Sequence, residues 1–296
     1  MNIIVIGAGA IGSLICSQLT TNKKINLTIL PRHNVDGRYH FAMSNLAGLS
    51  FRYRVQQTTA DDIVVADLIF ICVKSFDVRH VIAEHLSKIS KKCLIVLCHN
   101  GMGVAEEVKE LGLDESQLLN MLTTHGAYKA SARHIIHSGL GHFDLGYNLC
   151  NSSTPPRWLN NLNVISFPII WHQNVQEKQW LKLAINSVIN PLTAIHNIAN
   201  GDITLSKYRA IITQLAEEIS AVALSQKIDL SAYQIIQTVL DVAKSTARNT
   251  SSMRADILGN KTTEIMYING YICRLADQYK IDTPINRQLT AQILAL

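Results

Sequence analysis

No apolar run in this 296-residue chain reaches the roughly 18 residues that a membrane-spanning helix needs. No charged leader precedes the first apolar pattern either, so neither a membrane partner nor a secretion signal is expected. Charge of one sign is not concentrated: 27 Lys and Arg against 22 Asp and Glu give a formal +5 without a long basic run. A nucleic-acid binder gathers its charge on a stripe or tail, so small anionic ligands fit better and no nucleic-acid partner is expected. Cys16, Cys72, Cys93, Cys98, Cys150 and Cys273 include no C-x-x-C pair and read as reduced thiols of a cytoplasmic protein. His134, His137 and His142 have no carboxylate or cysteine at ligand spacing, so no metal site is expected. Fixed-period repeats and low-complexity tracts are missing as well.

Length and apolar content are what the chain does have, and 48% apolar residues suffice for two cores. Asn2–Ile6, Leu27–Leu30, Asp67–Val73, Leu94–Leu97 and Leu118–Thr123 read as buried strands. Between them Ile11–Thr20, Val78–Ile89 and Val104–Leu111 carry helical periodicity. This alternation predicts an α/β fold with a parallel sheet covered by helices on both faces. Ile135–Ile136, Gly141–Leu145 and Val164–Ser166 suggest further strands, with a polar, proline-bearing loop at Asn151–Arg157. From about Gln173 onward the pattern is helix alone, in Leu205–Leu224, Ser231–Lys244 and Thr263–Tyr279. Two domains are therefore expected, 1–170 and 171–296, meeting near Phe167–Gln173.

Inside the second domain, WLKLAINSVINPLTAI spaces Lys182, Asn186 and Asn190 every fourth residue. Helical geometry puts them on one stripe of an otherwise oily rod. A buried ammonium without a partner is costly, so the stripe either pairs with protein groups or lines a wet cleft. Pro191 removes the amide that would reach the carbonyl of Ser187 and biases Asn190 away from helical angles. The rod is expected to kink or end there.

At the other end of the chain, Gly7-Ala8-Gly9-Ala10-Ile11-Gly12 follows the first strand and opens a helix. In this context the first glycine permits a tight turn, the second admits a pyrophosphate, and the third lets helix and strand pack closely. The second strand ends in L-T-I-L-P-R-H, with no acid for a ribose 2′-hydroxyl and with Arg32 placed to pair with a 2′-phosphate. NADPH is thus the expected dinucleotide. Lys74 and Asn100 lie at carboxyl ends of strands, where open α/β sheets bind ligands.

The quoted segments, with V-K-S at 73–75, H-N-G-M-G at 99–103, T-T-H-G-A at 123–127, N-G at 200–201, N-T-S-S-M at 249–253 and T-E-I-M-Y-I-N-G-Y at 263–271, resemble the ketopantoate reductase (2-dehydropantoate 2-reductase) family. The resemblance covers nearly the whole chain. It implies an NADPH-dependent reductase of pantothenate biosynthesis, with a Rossmann-type domain followed by a helical domain like that of 6-phosphogluconate dehydrogenase. By position it makes Lys182 the proton donor and puts Glu264 at the reacting end of the pocket. It assigns Asn100, Asn186, Asn190, Asn200 and Ser252 to the substrate, and Asn100, Lys74, Ala127 and Glu264 to the cofactor. A reductase of another 2-oxo acid and a non-catalytic NADPH sensor are the competing readings. Monomer and homodimer both fit the composition.

Overall fold

The computed structural model describes residues 1–32, 37–147, 154–162 and 168–296. The expected strand at Val164–Ser166, residues 151–153 of the expected loop at Asn151–Arg157, Phe167 and Cys150 lie outside the described residues. The chain divides into two compact units: Met1–His99 with Val104–Val175, and Asn100–Gly103 with Gln176–Leu296.

The first unit runs β1 (Asn2–Ile6), α1 (Ala10–Leu19), β2 (Asn26–Leu30), β3 (Arg38–Ser44), β4 (Ser50–Gln57), β5 (Leu68–Ile71), α2 (Ser75–His85), β6 (Leu94–Leu97), α3 (Val104–Lys109), β7 (Leu118–Thr123), β8 (Gly126–Ser131), β9 (His134–Gly139), β10 (Phe143–Tyr147), the single turn α4 (Leu159–Leu162) and β11 (Ile169–Trp171). The strands form one sheet in the order β11-β10-β7-β6-β5-β1-β2-β4-β3-β9-β8. Its centre, β7-β6-β5-β1-β2, is parallel throughout. β1, β5, β6 and β7 are almost wholly buried, which is why they read as apolar runs rich in Ile, Leu and Val. The expected Asp67–Val73 strand is shorter, Leu68–Ile71.

Both flanks depart from a purely parallel sheet. β10 runs antiparallel to β7, and β3 pairs antiparallel with β4. The β3–β4 hairpin was not anticipated from the sequence. It follows period-two burial, with Tyr39, Phe41 and Met43 inward and the Phe41 and Tyr53 rings stacked at 5.2 Å. Asn45 closes the hairpin by accepting from the amides of Ala47 and Leu49 at 3.0 Å each. β8 and β11 were likewise unforeseen.

The second unit is helical: α5 (Val175–Ile195), α6 (Arg209–Ser225), α7 (Ala232–Ser245), α8 (Ser252–Leu258), α9 (Asn269–Tyr279) and α10 (Pro284–Leu294). Trp180, Leu183, Ala184, Val188, Ile189 and Leu192 of α5 share one apolar core with Leu215, Ile219, Val239, Ile272 and Leu289 from the other helices. A capping box starts α7, where Ser231 and Gln234 exchange backbone and side-chain bonds.

Two expectations change here. Pro191 does not end α5, which continues as helix to Ile195 and keeps Asn190 on it. Nor is Thr263–Tyr279 one helix. A short 3-10 turn at Ile265–Tyr267 precedes α9, and Ile268 breaks the two apart with φ −110 and ψ −97. Ile265, Ile268, Ile272 and Leu275 are all buried, so apolar spacing satisfied the core without a continuous helix.

Candidate active site

In the first unit the turn between β1 and α1 is tight at both ends and open in the middle. Gly7 has φ +103, and a Cβ there would lie 2.6 Å from the Cys72 carbonyl oxygen. A Cβ on Gly12 would lie 2.0 Å from the Gly7 carbonyl oxygen, whereas one on Gly9 would meet nothing nearer than 3.7 Å. The middle position therefore leaves backbone accessible to a bulky anion. Gly9 caps α1 without a side-chain hydrogen bond, and no acid occupies the first turn. Ala8, Ala10 and Ile11 are partly exposed around this turn. Free amide hydrogens and the positive end of a ten-residue helix suit a pyrophosphate.

Arg32 is exposed, two residues beyond β2. Lys74 is half-buried, in extended conformation, and caps α2 just after β5. Ala127 belongs to β8, which packs beside α1. Two residues along the same strand, Lys129 Nζ donates to the Ala8 carbonyl at 3.1 Å. β8 thus delivers Ala127 to the neighbourhood of the glycine turn, a placement that no local sequence signal encodes.

In the second unit α5 presents Lys182 and Asn186 half-buried and Asn190 buried. Glu264, only 4% exposed, precedes the 3-10 turn and accepts from Asn100 Nδ2 at 3.2 Å. This contact joins motifs 164 residues apart. Asn100 is carried by a four-residue segment that packs with the helices. The Met102 side chain is part of their core, and its amide donates to the Tyr267 carbonyl at 2.8 Å. Gly101 makes that approach possible, since a Cβ there would lie 2.2 Å from the same carbonyl oxygen.

Asn200 is buried. Its amide bonds the Asn249 carbonyl and its Nδ2 the Thr246 hydroxyl, both at 3.1 Å, and its Oδ1 has no partner. A buried acceptor left open is what a polar ligand would satisfy. Ser252 is exposed at the start of α8. The preceding Ser251 caps that helix through the Arg254 amide and meets the Thr193 hydroxyl of α5 at 2.7 Å. The stripe helix and the Ser252 segment are therefore linked directly.

A family model described as "Ketopantoate reductase PanE/ApbA" matches residues 3–149, and its C-terminal companion, "Ketopantoate reductase PanE/ApbA C terminal", matches residues 174–296. The chain is 33% identical to a 2-dehydropantoate 2-reductase of Vibrio cholerae serotype O1, over 100% of this chain and 98% of that protein. It belongs to the ketopantoate reductase family. Among solved structures, D-mandelate dehydrogenase with NADH and anilino(oxo)acetate superposes with TM-score 0.88 at 20% identity, covering 100% of this chain and 98% of that one. A dimeric ketopantoate reductase from Staphylococcus aureus gives 0.85 at 21%, with the same coverage. Both likenesses concern the fold.

Against that family background, several supporting residues were not picked out from the sequence. Ser251 and Thr193, the Tyr267 carbonyl, and Asn269 inside Y-I-N-G all act through contacts distant in the chain. The histidine stretch was also read too simply. Asp144, two residues past His142, receives His142 Nε2 at 3.1 Å and His172 Nε2 at 2.5 Å. Among the described residues no group of three or more His, Cys, Asp or Glu is arranged to hold a metal ion.

Proposed function

We propose that the protein reduces 2-dehydropantoate (ketopantoate) to pantoate with NADPH, a step of pantothenate and coenzyme A formation. The observation that carries this reading is the Asn100–Glu264 hydrogen bond, formed in the same helical unit as the lysine-asparagine stripe. Residues 1–170 act as the NADP-binding domain and 171–296 as the substrate-binding one, with the Asn100 segment as the first domain's contribution to the second. The open Gly9 position and uncapped α1 fit the dinucleotide, held by the backbone of Gly7, Ala8, Gly9, Ala10, Ile11 and Gly12, by Arg32 at the 2′-phosphate, and by Lys74 and Ala127.

A dinucleotide held at the glycine turn would supply the hydride that the carbonyl carbon needs. As hydride arrives, negative charge grows on the carbonyl oxygen, and the Lys182 ammonium opposes that charge and transfers its proton to it. Ketone becomes secondary alcohol. Glu264 keeps the amine charged and oriented, while Asn100, Asn186, Asn190, Asn200 and Ser252 satisfy the substrate's carboxylate and hydroxyl without adding charge. The open Oδ1 of Asn200 is ready to accept from a hydroxyl.

We also place the protein in the cytoplasm, because its cysteines are scattered without a C-x-x-C pair and four of the five described ones are buried. Among the described residues no helix is long and apolar enough to cross a membrane. The test is loss of NADPH absorbance when purified protein meets ketopantoate, beside 2-oxoisovalerate and pyruvate. Ketopantoate should give the highest kcat/KM. Faster turnover of either rival would reassign the substrate, and NADPH binding without any turnover would leave a sensor.

A further inference from the structure

Pro191 lies inside α5 and has no amide to give the carbonyl of Ser187, a residue fully buried in the core. A buried carbonyl without a donor is costly. Asn269 Nδ2 supplies the missing bond, at 2.9 Å, from 82 residues away. The same nitrogen donates to Asn286 Oδ1 at 2.9 Å, and Asn286 Nδ2 donates to Glu218 at 2.7 Å. The Glu218 carboxylate also accepts the amides of Ile285 and Asn286, at 2.8 and 3.0 Å, which open α10.

The direction of this chain of bonds is forced. A carboxylate only accepts, so Asn286 turns its nitrogen to Glu218 and its oxygen to Asn269, which must then be a donor. Both asparagines are 0% exposed. Asn269 also closes the segment that starts at Glu264. That segment takes Asn100 through the Glu264 side chain and Met102 through the Tyr267 carbonyl, and it takes α5 through Asn269. One stretch of six residues thus indexes the Asn100 loop and the lysine-asparagine stripe against each other.

We infer that Asn269 is the positioning residue of the substrate site: by bonding the carbonyl that Pro191 leaves bare, it fixes α5 so that Asn186 and Asn190 meet the substrate in register with Glu264 and Asn100. Asn269 has no exposed surface and acts through α5, by its bond to Ser187. The inference rests on the function proposed above.

The test uses the full-length protein with Asn269→Ala, Pro191→Ala and the pair, and Asn269→Ser in place of the alanine should that variant not fold. Pro191→Ala gives position 191 an amide that can bond the Ser187 carbonyl directly, which removes the need for Asn269. With Pro191 present, Asn269→Ala should raise the KM for ketopantoate about tenfold, the effect of 1.4 kcal/mol, and leave NADPH affinity by fluorescence titration unchanged. In the Pro191→Ala background the same change should raise KM less than about threefold. An equal KM ratio in the two backgrounds, or a wild-type KM in folded Asn269→Ala, would overturn the inference. Should the wild type not reduce ketopantoate at all, the function fails separately. Amide hydrogen exchange along α5 then decides: Asn269→Ala must speed it more with Pro191 than without, and unchanged exchange rejects the positioning role.

Discussion

At the scale of single residues, the two ends of the proposed reaction separate cleanly by substitution. Lys182→Ala should lower kcat by on the order of 10²–10³, as loss of a preorganised donor to a developing oxyanion does, with NADPH affinity unchanged. Steady-state kinetics beside a binding titration checks both halves, and a preserved kcat would remove Lys182 from the chemistry. Arg32→Ala should weaken NADPH by about tenfold or more and leave NADH nearly untouched, because only the former carries a 2′-phosphate for the guanidinium. Equal losses would show that Arg32 does not read that phosphate. Residues such as Gly7, Gly9 and Gly12 were legible because their constraint is local: strand, turn and helix start within a dozen positions. Asn269 was not, since its purpose depends on a proline elsewhere in the chain, and nothing around it distinguishes a helix-starting asparagine from a carbonyl donor.

At the scale of elements, the parallel centre of the sheet was readable because strands buried on both faces leave uninterrupted apolar runs. The flanks were harder. β3 and β4 do alternate, with Tyr39, Phe41 and Met43 against Arg38 and His40, but arginines and glutamines interrupt the apolar runs that mark the central strands, and β8 is mostly exposed and has little alternation to read. The split of Thr263–Tyr279 was equally hidden, as a 3-10 turn followed by a helix buries the same isoleucines that one helix would.

The junctions of β7 with β8 and β9 with β10 carry a pH dependence of their own. His125 Nδ1 accepts the Gly141 amide at 3.0 Å and lies 3.2 Å from His137 Nε2, so its proton sits on the other ring nitrogen. Burial, and after it the neighbouring His137, pushes His125 down to about 4, and burial lowers His137 too. The folded value lies below the unfolded one of about 6.5, so the unfolded chain takes up protons first as pH falls. Stability is then whole above about pH 6.5 and is lost progressively towards pH 4. His125→Asn keeps an acceptor near the Nδ1 position without a titrating proton. Its melting temperature should fall less steeply over that range than the wild type's, and parallel slopes would exclude His125 as a source.

At the scale of the molecule, cofactor and stability are linked. NADPH at one hundred times its Kd should add about 2.7 kcal/mol to the unit that binds it, a rise in Tm of roughly 5–10 °C for a domain of this size. Calorimetry with NADPH and with NADH at the same concentration checks this. No shift with either would remove the dinucleotide from the first unit, and the Arg32→Ala protein should lose most of the NADPH shift. The two-part organisation was readable as a switch from alternating elements to helices, but not the exchange of Asn100–Gly103 between units, which follows from Met102 entering the helical core. That loan of four residues has a consequence for anyone dissecting the chain. Cutting after Val175 would strand the plug on the wrong fragment, leaving the helical piece with an empty socket over Tyr267 and the Glu264 carboxylate without its amide neighbour, so the two halves are not independent modules.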